Sequence, residues 1–219
     1  MLKGIIFDMD GVLVDNREPH IEAFVIQARR YGLELDTSNP DWMYGKGNDG
    51  ILPRLLPAEL IEKEGLEKLS DEKEKIYRDI YADTIEPVAG LIPLLKDLRT
   101  HGMKVAVGSS GPKENVDFVL DKLGIRDMFD VVVNGDMVIK RKPDPEIFLL
   151  SAEMLGLEPT ECLIFEDSFV GLEAAGNAGI KAIALATTFP REKVAEAHNG
   201  LIINDFTEIT FGQIEREFN

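Results

Sequence analysis

Six short apolar runs, set apart by turn residues, constrain this chain more than any other feature. They are Gly4–Phe7, Lys104–Val107, Asp130–Val133, Leu163–Phe165, Ala182–Leu185 and a weaker Leu201–Ile203. Most are continuously apolar rather than alternating, so each predicts a strand buried on both faces. Helical patterns fill the later gaps. Asn115–Leu123 places Val116, Val119, Leu120 and Leu123 at helical spacing. Pro145–Leu155 opens with a proline at a plausible first helical position. Gly171–Ala178 is alanine-rich and runs into Gly179, a suitable C-terminal cap. Buried strands alternating with helices predict the α/β class, with a doubly wound parallel sheet covered on both faces.

The gap between the first run and the second breaks this rhythm. It reads as helical throughout, over Glu18–Tyr31, Ile51–Leu56, Pro57–Glu64 and a charged stretch from Leu66 to about Asp83. The pattern predicts an all-helical domain over 16–84, inserted into a core made of 1–15 and 85–219. Pro87, Gly90 and the apolar positions Leu91, Leu94, Leu95 and Leu98 lead the chain back to the core. The charge run DEKEK, Asp71–Lys75, is expected to be a solvated helix face.

Composition excludes some partners. The formal net charge of -16 and pI near 4.6 leave no basic face for nucleic acid or for anionic membrane. No apolar run is long enough to span a bilayer, and Asp8 and Asp10 interrupt the stretch that a signal peptide would need. Cys162 is the sole cysteine, so no internal disulfide is possible, and its apolar neighbours mark it as a small buried hydrophobe. A cytoplasmic location is expected, and no protein partner can be inferred.

In open parallel sheets ligands bind beyond the carboxyl ends of the strands. The first run, in IIFDMDGVLVDN, delivers Asp8 and Asp10 there. The second is followed by Gly108, Ser109 and Ser110, the third by a loop with Lys140, Arg141 and Lys142, and the fourth by Glu166, Asp167 and Ser168. Four carboxylates brought close together need a cation, and a hard divalent ion with oxygen ligands, Mg²⁺, answers that need. Hydroxyls, backbone N–H groups and a lysine suit a phosphate. One aspartate could then attack phosphorus, and a second could move the proton of the leaving group.

These residues resemble the haloacid-dehalogenase-like (HAD) superfamily, in the subfamily with a helical cap after the first strand. Asp8-Met9-Asp10-Gly11-Val12 is similar to its first motif, Ser109 after VAVG to its second, Lys142 in KPDP to its third, and Glu166-Asp167-Ser168 with Gly171, Ala174, Ala175 and Gly179 to its fourth. The order agrees and the resemblance spans nearly the whole chain. It implies a Rossmann-like core, with Asp8 as nucleophile and Asp10 as general acid/base that also offers its backbone carbonyl to Mg²⁺. It further implies Asp167 and Glu166 at the metal, and Ser109, Ser110 and Lys142 at the phosphoryl group. Family members that cleave carbon–halogen bonds lack an acid at the place of Asp10, which sets that activity aside.

Within the family the chain is most similar to the β-phosphoglucomutases and their phosphatase relatives. The resemblance implies a Mg²⁺-dependent phosphatase acting on a small sugar or polyol phosphate. A mutase using the same Asp8 is the alternative, and a non-catalytic protein that binds phosphorylated metabolites is a remote one. His20 matches a histidine that in the mutases helps control the acid/base aspartate. The stretch GKGNDG, Gly45–Gly50, spells a dinucleotide fingerprint but lacks the β-α-β unit that motif requires. The resemblance makes it a cap loop that selects substrate. Asn48 stands where the mutases carry an arginine, with Lys46 nearby, and Lys73 falls near a second phosphate-contacting position. Asn16 replaces a common serine or threonine at the expected hinge.

Overall fold

A computed structural model describes residues 1–218. It divides into two compact units, one made of Met1–Asp15 with the chain from Glu86 onward, the other of Asn16–Ile85.

Among the described residues, the first unit holds a single six-stranded sheet: β1 (Gly4–Phe7), β2 (Lys104–Gly108), β3 (Val131–Val133), β4 (Cys162–Glu166), β5 (Lys181–Leu185) and β6 (Ile202–Ile203). The order is β3-β2-β1-β4-β5-β6 and every pairing is parallel. Successive residues of a strand face opposite sides, and both sides are covered here. Ile6 lies in one apolar cluster with Ala106, Val133 and Ile164, under α7 (Glu146–Leu155) and α8 (Phe169–Asn177). Phe7 points the other way, where its ring stacks 5.0 Å from Phe165 and lies 5.8 Å from Phe206. Two-sided burial is why these strands read as unbroken apolar runs.

The remaining helices of this unit are α5 (Leu91–Thr100), α6 (Lys113–Leu123), α9 (Arg191–Ala197) and α10 (Phe211–Phe218). Pro145 stands one place earlier than the sequence suggests, as the residue before α7. Chain order reverses in the sheet between β1 and β4, and a crevice at such a switch point is where doubly wound sheets bind ligands.

The second unit holds, among its described residues, α1 (Arg17–Arg30), α2 (Asn48–Leu55), α3 (Ala58–Glu64) and α4 (Leu66–Tyr81), with no strand. Its core joins Phe24 and Ala28 to Met43, Ile51, Leu52, Leu56 and Leu69. The charge run corrects one expectation. Lys73 is 2% exposed, not solvated. Position 73 shares a stripe of α4 with Leu69, Ile76 and Tyr77, at helical spacing, so the lysine turns inward with them. Asp71 and Lys75 remain outside. Among the described residues, no helix is long and apolar enough to cross a membrane.

Candidate active site

β1 and β4 are hydrogen-bonded neighbours, with Phe7 opposite Phe165, so the residues after them emerge side by side. The N–H of Asp8 continues the ladder by donating to Phe165 O at 3.0 Å. This brings together the carboxylates of Asp8, Glu166 and Asp167, which each offer an oxygen within 4.8 Å of the others, all three residues buried. Lys142 reaches them from the loop after β3. Its Nζ donates to Asp8 Oδ1 at 2.6 Å and Glu166 Oε2 at 2.8 Å, and it sits 4.5 Å from the centroid of the Phe148 ring.

Local detail fixes these groups. Ser168 caps α8, where its hydroxyl accepts from Gly171 N at 3.1 Å and donates to Glu166 Oε1 at 2.6 Å. Glycine at 171 leaves room for the Glu166 carboxyl, because a Cβ there would come within 2.0 Å of its carboxyl carbon. Ser109 is fully buried after β2, with its N–H on Val133 O and its hydroxyl accepting from Gly111 N at 3.0 Å. That hydroxyl keeps its proton to donate. Ser110 comes next, half-buried. Asp10 is half-buried, on a turn bridged to Val14. Its side chain lies outside the tight carboxylate triad but close enough to raise the proton affinity of Asp8.

The electrostatics of the cluster disfavour its ionised acids. Burial lifts the Asp8 carboxyl to about 8, Lys142 opposes the shift, and Glu166 and Asp10 add to it. Burial raises Asp167 well above the carboxylate range, as do Glu166 and Asp8, while Thr188 opposes. Burial disfavours the Lys142 ammonium, but Asp8 and Glu166 outweigh it and hold the lysine charged. Ionising all three acids against one lysine would leave an excess of two negative charges, which is why burial favours their protons while no cation is present. A divalent cation with oxygen ligands matches both that charge and that donor set.

The helical unit collects its own polar group. Lys73 Nζ lies 2.7 Å from His20 Nδ1 and 2.9 Å from Glu74 Oε1, and Asn48 Nδ2 donates to the same Glu74 oxygen at 2.8 Å. The His20 ring stacks on Tyr77 at 3.9 Å, and Asn16 Nδ2 donates to the Tyr77 hydroxyl at 2.7 Å. Three of the cap candidates, His20, Asn48 and Lys73, therefore belong to one network. Lys46 does not join them in these contacts. It is exposed and lies 5.6 Å from the centroid of the Trp42 ring. No strand precedes GKGNDG, and only its first half is a loop: Gly45–Gly47 lead into α2, whose first turn is Asn48–Gly50.

Two polar residues at the site escape the sequence reading. Thr187 and Thr188 lie just beyond β5, and Thr188 Oγ1 donates to Asp167 Oδ2 in a short hydrogen bond. Strand ends supply the acids and serines of the site, and the same rule applied to β5 leads to the turn that holds both threonines.

The chain belongs to the haloacid dehalogenase-like hydrolase family, whose model matches residues 2–179. It is similar to the fructose-1-phosphate phosphatase YqaB of Escherichia coli (strain K12), 33% identical over 182 residues that cover 82% of this chain and 94% of that protein. It is 34% identical over 182 residues to a phosphorylated carbohydrates phosphatase of Thermotoga maritima, covering 83% of this chain and 84% of that one. Its fold resembles the crystal structure of a β-phosphoglucomutase from Clostridium difficile, with a TM-score of 0.83 at 28% identity, covering 100% of this chain and 98% of that one.

Proposed function

We propose that this chain is a Mg²⁺-dependent phosphatase that removes phosphate from a small phosphorylated sugar or polyol through an aspartyl-phosphate on Asp8. The observation that carries the reading is the buried Asp8–Lys142–Glu166 contact beside Asp167, at the switch point of the sheet. The names of the two relatives above support the substrate class.

Asp8, Glu166 and Asp167, with the Asp10 carbonyl, would hold Mg²⁺. When bound, the ion neutralises the acids and draws charge from the phosphoryl oxygens. An Asp8 oxygen attacks phosphorus and the bond to the leaving oxygen breaks. Asp10 gives its proton to that oxygen, so the product leaves as an alcohol. Asp10, now a carboxylate, takes a proton from water, whose oxygen attacks the same phosphorus. Inorganic phosphate leaves and Asp8 is restored. Ser109, Ser110 and Lys142 hold the phosphoryl oxygens, and Lys142 also favours the ionised form of Asp8. Substrate choice is assigned to the helical unit.

A second reading is favoured by the likeness to a β-phosphoglucomutase. There the aspartyl-phosphate would pass its phosphoryl group to a second sugar oxygen instead of water. Purified chain with Mg²⁺, presented with a panel of sugar and polyol monophosphates and scored by kcat/KM, tests the proposal. Phosphate release that disappears in Asp8→Asn is expected. Isomer formation from β-glucose 1-phosphate with a bisphosphate activator, well above phosphate release, would establish the mutase instead. No turnover on any member would leave a binding protein.

A further inference from the structure

We infer that Thr188 is a positioning residue that aims the Asp167 carboxylate at the divalent cation, with Thr187 anchoring the turn that presents it. The inference rests on the reading that Asp167 holds that cation.

Thr188 and Asp167 are 7% and 5% exposed, so bulk water is a poor substitute partner for either. The Thr188 hydroxyl donates to Oδ2 of Asp167, which stops the carboxylate from turning freely about its last bond. The backbone of Gly11 closes the other side. A Cβ at residue 11 would lie 2.1 Å from Asp167 Oδ2 and 2.9 Å from Thr188 Oγ1, and Gly11 also has φ of 76°. The hydroxyl and the carboxylate are therefore packed flat against the turn after Asp10.

The same peptide is tied to the neighbouring threonine. Thr187 Oγ1 donates to Gly11 O at 2.5 Å, while Gly11 N donates to Val14 O at 2.8 Å. The threonine turn is fixed at both ends, by Ala186 N on Ile203 O at 2.8 Å and by Phe189, whose ring lies 4.4 Å from that of Phe169. Two adjacent hydroxyls thus clasp the turn after β1 and the acid after β4, from the turn after β5.

A hydroxyl that only filled space would affect folding but not cation affinity. One that orients a ligand changes the affinity of the folded chain. Isothermal titration of Mg²⁺ into metal-stripped full-length chain separates the two. Thr188→Val, which keeps the shape and removes the donor, is expected to weaken Mg²⁺ binding about 10- to 100-fold, and Thr188→Ser to hold it within about threefold of the parent. Melting curves confirm that each protein is folded. If valine packs poorly, Thr188→Ala gives the same comparison with Thr188→Ser. Parent-like Mg²⁺ affinity in folded Thr188→Val, or in folded Thr188→Ala, overturns the inference alone. A parent that binds no Mg²⁺ overturns the cation reading and the inference together.

Discussion

Replacing Lys142 with methionine keeps most of the stem and removes the positive charge bonded to the buried acids. The ammonium lies 2.6 Å from Asp8 and 2.8 Å from Glu166, and the side chain is 5% exposed. At an effective dielectric of about 20, a pair at that distance attracts by roughly 6 kcal/mol. Desolvation cancels much of this, and deleting one member of a buried pair costs about 3–5 kcal/mol net, here because the buried Glu166 loses its ammonium partner. Metal-free Lys142→Met is expected to lose stability in that range near pH 7.

The loss also depends on pH. Asp8 is lifted to about 8 in the folded chain. An unfolded aspartate titrates near 4, so folding tightens its hold on the proton, and metal-free stability falls as pH rises from about 4 through about 8. Without Lys142 the folded carboxyl keeps its proton to still higher pH, so the variant goes on losing about 1.4 kcal/mol per pH unit where the parent has levelled off. The gap between them should widen from about pH 7 to about pH 9. Urea unfolding in the presence of a chelator, monitored by circular dichroism at both pH values, measures it. A loss below about 1 kcal/mol at both, or a gap that narrows as pH rises, would refute the reasoning.

Gly171→Ala sets two effects against each other. Alanine improves helix propensity by about 1 kcal/mol, but its Cβ collides with the Glu166 carboxyl, and overpacking of this kind costs about 1–3 kcal/mol. The clash should win, displacing Glu166 from Lys142 and lowering both melting temperature and phosphate release; a more stable, fully active variant would contradict it. In the helical unit, Lys73→Met should cost about 3 kcal/mol by urea unfolding, because Glu74 loses a buried lysine. Lys75→Ala, on the exposed pair with Asp79, should leave the midpoint within error, and equal losses for the two lysines would show that burial does not decide their worth.

The sheet is legible in the sequence because parallel strands buried on both faces leave an unbroken apolar signature, as in Gly4–Phe7 and Leu163–Phe165. The residues at the ends of β1, β2 and β4 are legible for the same reason, and the loop carrying Lys142 shows as a basic cluster before Pro143. The hidden features depend on partners far away in the chain. Lys73 sits in a charge run, and its burial comes from the apolar stripe it shares with Leu69 and Ile76 and from His20 on another helix. Asn16 reads as a hinge substitution, and its partner is the buried hydroxyl of Tyr77, 61 residues on. Thr187 bonds Gly11 across 176 residues. Threonine after a strand is common turn chemistry, and nothing local distinguishes one that restrains an acid.

The junctions of the helical unit have a consequence for how such a chain can diversify. Before the chain leaves the core at Asp15, Val14 forms a bridge with Pro87, and Val88 N donates to Leu13 O at 2.9 Å. Exit and re-entry are thus stitched together within the core, and the sheet does not rely on the excursion to bring them near. An excursion of different length or sequence can be exchanged there with little disturbance of β1 or the acids after it. The helical unit and the acids after β1 and β4 are then encoded by separate stretches of the gene, free to change at different rates.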